Sequence, residues 1–121
     1  MAPWRAVYAF YAAGTFLVLG FTALFATLIL PGVYRRRAAA RATARAFLWL
    51  AGMPLTVRGM ERLAPGQCVV VSNHASYLDG LVFTAALPAR FSFVIKREMS
   101  AVPLAGLFLR RIGSEFVERF D

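Results

Sequence analysis

Cys68-Val69-Val70-Val71-Ser72 runs directly into Asn73-His74-Ala75-Ser76-Tyr77-Leu78-Asp79. A β-branched run that follows the Pro65-Gly66 turn signal reads as a buried strand. The apolar stretch over residues 78–87, stopped by Pro88, reads as a helix. The polar cluster between them falls at the carboxyl end of a strand, where α/β folds place their sites. Downstream the alternation continues. Residues 91–95 predict a strand, residues 99–111 a helix with Pro103 near its start and Gly113 closing it, and residues 115–118 the beginning of a further strand. Upstream, Gly52 and Pro54 lead into a short strand over residues 55–58. Strands alternating with helices predict an α/β layer fold.

Toward the N-terminus the chain changes character. It is 121 residues long and 60% hydrophobic, with a mean hydropathy of +0.61. The apolarity is concentrated in residues 6–30, none of which is charged. A bilayer core takes about 20 apolar residues as a helix, so this stretch predicts a membrane anchor. Only Arg5 precedes it, the apolar run is long, and no Ala-x-Ala site ends it, which together disfavour a cleaved signal peptide. Gly14, Gly20 and the Pro31-Gly32 pair give it places to break. Both a spanning helix and a helical hairpin in the interface are therefore open.

Arg35, Arg36, Arg37, Arg41 and Arg45 follow at once, in a chain of net charge +8 whose one lysine is Lys96. Basic residues flanking a transmembrane segment mark the cytoplasmic side, and near the surface each attracts anionic headgroups by about 1 kcal/mol. Residues 35–50 thus predict a basic amphipathic helix on the membrane surface. Nucleic acid is disfavoured as the partner, because the charge sits beside the apolar segment and no nucleic-acid motif appears. The expected organisation is a membrane anchor and interfacial helix over residues 1–50, followed by a second part over residues 51–121. The latter is a thin core for a complete α/β enzyme, and its last strand is uncovered. The expectation is a domain cut short.

His74 is the natural general base, because an unperturbed imidazole titrates near pH ~6.5. A carboxylate bonded to one ring nitrogen would fix its tautomer, and Asp79 is the nearby candidate. Five residues on a regular helix differ by about 140° in direction. The two meet only if His74 lies in the strand-to-helix turn and Asp79 in the first helical turn. Taken alone, the spacing describes a turn histidine and an exposed helix aspartate at least as well. Ser76 lacks the G-x-S-x-G surroundings of a nucleophile. It suits an N-cap, with Asp79 completing a capping-box-like pattern. Lys96 and Arg119 each follow a strand, and converging strand-end cations can hold a phosphate. Singly, each is an ordinary surface charge. Arg110 and Arg111 fit the C-terminal end of their own helix. One His and one Cys exclude a His/Cys zinc site and an intrachain disulfide, leaving Cys68 as a buried structural thiol.

Val71-Ser-Asn-His-Ala-Ser-Tyr-Leu-Asp79 resembles the N-H-x-S-x-x-D block of the glycerophospholipid acyltransferase family, which includes bacterial 1-acyl-glycerol-3-phosphate acyltransferases. Arg58-Gly-Met-Glu61 is similar to that family's G-x-E-N/R lead-in. Phe93-Val-Ile-Lys-Arg-Glu-Met99, with Pro103 and Gly106 after it, resembles its K-x-E-L…P…G segment. Gly113-Ser-Glu-Phe-Val-Glu-Arg119 is similar to its G-x-x-F-x-x-R block, with Glu118 where many relatives carry Asp. The resemblance runs from about residue 55 to the end.

It implies a mixed sheet flanked by helices, here incomplete, and an O-acyltransferase. His74 would take the proton from a lysolipid hydroxyl while Asp79 orients the imidazole. The freed oxygen would attack the thioester of acyl-CoA or acyl-carrier protein, and Arg119 with Lys96 would hold the acceptor's phosphate. No cofactor, metal or covalent enzyme intermediate is implied. The family's later blocks, an F-P-E-G-T type among them, are absent, so the expectation is an N-terminal piece of the catalytic domain. The implied reaction makes phosphatidic acid from lysophosphatidic acid on the cytoplasmic face of a bacterial inner membrane. The alternatives are another acceptor, such as a lyso-ornithine lipid, or an inactive truncated membrane-bound relative.

Overall fold

Proline has no amide hydrogen to leave unpaired, and Pro3 opens the first helix, α1 (Pro3–Ile29). The computed structural model describes residues 2–53, 55–63, 65–66, 68–71 and 78–117. At 1.5 Å per residue, the 27 residues of α1 span about 40 Å. Gly14 and Gly20 lie inside it without interrupting it. The break comes at Pro31-Gly32, where Gly32 takes a φ of 83° that favours glycine. From there α2 (Val33–Leu50) runs back alongside α1.

The hairpin is antiparallel. The Tyr8 hydroxyl donates to the Ala51 carbonyl at 2.6 Å and the Tyr11 hydroxyl to the Leu50 carbonyl at 2.7 Å. The start of α1 thus satisfies carbonyls that the end of α2 would otherwise leave unpaired. Phe16 meets Phe47 edge to face, with ring centroids 5.5 Å apart. On α2, Ala40, Ala44, Phe47 and Leu48 form a buried stripe at helical spacing. That stripe also receives α3 (Leu78–Ala86). Ala44, Phe47, Leu48, Ala51 and Ala85 form one buried cluster, with Leu19, Leu55 and Leu81 packed against it. The core is therefore built jointly by both halves of the chain.

Helix α3 falls where the apolar run before Pro88 predicts it. Beyond it, β1 (Val94–Lys96) and β2 (Glu115–Val117) pair in parallel, with Val94↔Glu115, Ile95↔Phe116 and Lys96↔Val117 in register. Ile95 and Phe116 share the half-buried face, while their flanking residues are exposed. Parallel strands need a crossover, supplied here by a 3₁₀ turn (Arg97–Ala101) and α4 (Ala105–Arg111).

Several expectations are corrected. Residues 55–58 form no strand. Residues 68–71 also lie outside any ladder, and Val69 and Val71 are each 88% exposed, against the expected buried strand. A β-branched run is buried only when neighbours pair with it, and among the described residues the sheet consists of β1 and β2 alone. That pair is parallel. Cys68 is half-buried rather than enclosed. The strand expected over residues 91–95 begins only at Val94, because the Phe91 amide is tied back to the Pro88 carbonyl at 3.1 Å.

The expected helix over residues 99–111 is broken. Pro103 disfavours helical backbone before it, and Leu104 sits at φ 64°, ψ −50°. The Ala105 amide donates to the Pro103 carbonyl at 2.6 Å, closing a γ-turn around Leu104. After the turn, α4 packs onto the 3₁₀ segment. At Gly106 a Cβ would collide with the Ser100 carbonyl, so glycine permits that approach.

The basic row of α2 has partners within the fold, where Arg36, Arg37 and Arg45 make short bonds to main-chain carbonyls. Arg36 Nε donates to Leu30 at 3.0 Å, Arg37 Nε to Ile112 at 2.7 Å and Arg45 Nε to Ala85 at 2.7 Å. Arg41 Nη2 reaches the Ala86 carbonyl at 3.5 Å. Every acceptor is a main-chain carbonyl at or just beyond the end of a helix. Such carbonyls lack intrahelical partners and lie at the negative pole of the helix dipole.

Candidate functional site

Asp79 occupies the first turn of α3 and is half-buried. A carboxylate there is favoured by the positive end of the helix dipole. Its position in the first helical turn meets one of the two conditions for an Asp79–His74 pair. His74 itself, with Asn73 and Ser76, lies outside the described residues, as do Glu118 and Arg119. Lys96 closes β1 and is exposed. Its ladder partner is Val117, two residues before Arg119 in the sequence.

An apolar cleft of about 1120 Å³ opens between the hairpin and the β1–α4 layer. Phe16 and Phe21 of α1 line one side, with Ile95 of β1 and Phe108 of α4 on another. Gly80 and Ile95, the sequence neighbours of Asp79 and Lys96, also line it. Asp79 and Lys96 are not among its lining residues, and the volume itself takes hydrocarbon better than a polar group.

Helix α3 is held on α2 along its length. Arg45 reaches its last turn through Ala85, and Leu81 and Ala85 pack on the α2 stripe. The sequence contains a signal for this. Arg37, Arg41 and Arg45 repeat every four residues beside the alanine stripe, which puts them along one side of the helix.

A family model for acyltransferases matches residues 54–121. That is more than half of the 121-residue chain. The chain belongs to the acyltransferase family. A 1-acyl-sn-glycerol-3-phosphate acyltransferase of Borreliella burgdorferi is 29% identical to it over 80 residues, covering 65% of this chain and 32% of that relative. The human 1-acyl-sn-glycerol-3-phosphate acyltransferase alpha is 40% identical over 72 residues, covering 59% of this chain and 25% of that relative. A lysophospholipid acyltransferase of Arabidopsis thaliana is 45% identical over 51 residues, covering 41% of this chain and 12% of that relative. This acyltransferase chain thus spans about a third or less of the length of these relatives. No solved structure gives a significant match. The matched segment begins after the hairpin, so α1 and α2 lie outside it.

Proposed function

We propose that the protein transfers a fatty acyl group from acyl-CoA or acyl-carrier protein to the free hydroxyl of lysophosphatidic acid, yielding phosphatidic acid. The observation that carries this reading is the acyltransferase match over residues 54–121, whose relatives include enzymes named for that acceptor. His74 takes the hydroxyl proton as the oxygen attacks the thioester carbonyl. Asp79 holds the imidazole in the accepting tautomer, as a carboxylate does in the Ser-His-Asp arrangement. The thiol of the donor leaves with the proton that His74 returns. Lys96 and Arg119 bind the acceptor's phosphate, Arg119 as a bidentate fork. The chemistry needs no metal or cofactor.

The reaction takes place at a membrane surface, on the cytoplasmic face of a bacterial inner membrane. Helix α1 is long and apolar enough to cross a bilayer. Its outward face carries Val7, Phe10, Val18, Phe25 and Ile29, all exposed. Helix α2 accompanies it from the Tyr8–Ala51 bond to the Pro31-Gly32 turn and carries α3 as well. That arrangement favours a hairpin whose α1 face lies in lipid over a free-standing span. The apolar cleft beside Gly80 and Ile95 suits a substrate delivered from the same lipid.

The test is acyl transfer by membranes carrying the protein expressed from its complete reading frame. His74→Ala is expected to lower turnover by about 10²–10⁴-fold, and Asp79→Asn to lower it with little change in KM. Unchanged turnover in the His74 variant sinks the mechanism. The lysophospholipid acyltransferase relative supports a second acceptor class. Lysophosphatidic acid, other lysophospholipids and lyso-ornithine lipid should therefore be compared in one assay, and a preference for another acceptor would replace the first. No transfer to any of them would leave an inactive relative.

A further inference from the structure

Arg45 is an exposed residue with one deep bond. Its Nε donates to the Ala85 carbonyl at 2.7 Å. Ala85 is fully buried and sits in the last turn of α3, where main-chain carbonyls have no intrahelical partner. Arg45 provides that partner and places a cation at the negative end of the helix dipole. Apolar contact reinforces the tie, since Ala85 belongs to the cluster of Ala44, Phe47, Leu48 and Ala51, with Leu81 packed against it.

Helix α3 has only 9 residues, with Asp79 in its first turn. It is a rod of about 14 Å, packed on α2 through Leu81 and Ala85 and tied by Arg45 at the end opposite the carboxylate. A change in the seating of Ala85 therefore shifts the whole rod, Asp79 included. Misplacing a reacting group by about 1 Å can cost 10²-fold in rate. We propose that Arg45 is a positioning residue for acyl transfer, fixing α3 on the hairpin so that Asp79 is held where it orients His74. The inference rests on the reading of His74 and Asp79 as base and orienter. It makes the N-terminal hairpin a platform to which the Asp79 helix is indexed, as well as an anchor.

The experiment compares the parent protein, Arg45→Met and Arg45→Lys, each expressed from the complete reading frame in phospholipid vesicles with lysophosphatidic acid and acyl-CoA. Arg45→Met is expected to remain vesicle-bound and folded, to keep both KM values within about twofold, and to lose about tenfold in kcat. Arg45→Lys keeps a cationic donor and is expected to recover most of that loss. Amide hydrogen exchange provides an arm independent of activity. Peptides covering residues 78–82 should exchange faster in Arg45→Met and return toward parent rates in Arg45→Lys, with α1 and α4 unchanged. Parent protein without transfer would refute the acyltransferase reading, while exchange would still decide the tie. An unchanged kcat, a loss confined to KM, unaltered exchange at residues 78–82, or faster exchange throughout the chain would each overturn the proposal.

Discussion

Arg37 on α2 donates through Nε to the Ile112 carbonyl at 2.7 Å, at the turn that leads from α4 into β2. Two longer contacts extend from the same guanidinium, to Ala89 at 3.4 Å and Gly113 at 3.5 Å. One side chain therefore joins the hairpin to the turn before β1 and to the turn between α4 and β2. A guanidinium suits this role because its donors form a planar fork that stays charged at any ordinary pH. Arg111 adds a tie in the opposite direction, its Nε donating to the Thr27 carbonyl of α1 at 3.0 Å.

Arg37→Met should destabilise the fold by about 1.5–3 kcal/mol, the usual loss when a charged donor leaves part-buried acceptors unpaired. Denaturant unfolding of parent and variant in the same micelles measures it. A difference below about 0.5 kcal/mol would show that the contacts are incidental. Arg35→Met is the matched control, since Arg35 is exposed on the same helix.

Leu104→Gly should stabilise the protein. Leu104 holds a positive φ of 64° at the centre of the γ-turn before α4. Such backbone strain costs about 1–3 kcal/mol in a residue with a Cβ, and the greater chain entropy of glycine offsets roughly 0.5–1 kcal/mol of the gain. Leu104 is exposed, so little packing is lost with the side chain. The expected net is about +1 kcal/mol, read as a higher thermal midpoint. A lower midpoint would mean that the leucine makes contacts worth more than the strain.

Val18→Asp/Phe25→Asp should release the protein from membranes without unfolding it. Both residues face outward from α1 and line no part of the apolar cleft. A charge at the lipid-facing side of a helix is costly, about 2.5–3.5 kcal/mol near a bilayer centre on insertion scales. Vesicle flotation reports binding, and far-UV circular dichroism reports the fold. Retained flotation would show that α1 does not dock through this face.

Some of the architecture is local and can be read from the chain. A long uncharged apolar run commits α1, Pro31-Gly32 ends it, and Pro88 stops the helix that begins beside Asp79. Each follows from backbone sterics or hydrophobic periodicity within a few residues. Other features depend on partners far along the chain. Val69-Val70-Val71 has strong strand character yet remains exposed, because burial of a strand is supplied by its neighbours. Residues 99–111 read as one helix by composition and are divided by the γ-turn at Leu104.

The sequence alone determined the long apolar helix before Pro31-Gly32, the apolar helix that Pro88 stops, and the ordered blocks that mark an acyltransferase. Only the tertiary structure decided where the arginines of α2 are used. Spacing puts Arg37, Arg41 and Arg45 along one side of a helix, but lipid phosphates and helix-end carbonyls attract a guanidinium alike. Which acceptor it meets depends on what is packed against that side. Here the ends of α3 and α4 lie there, and much of the basic row that looks made for a membrane holds the two halves of the fold together.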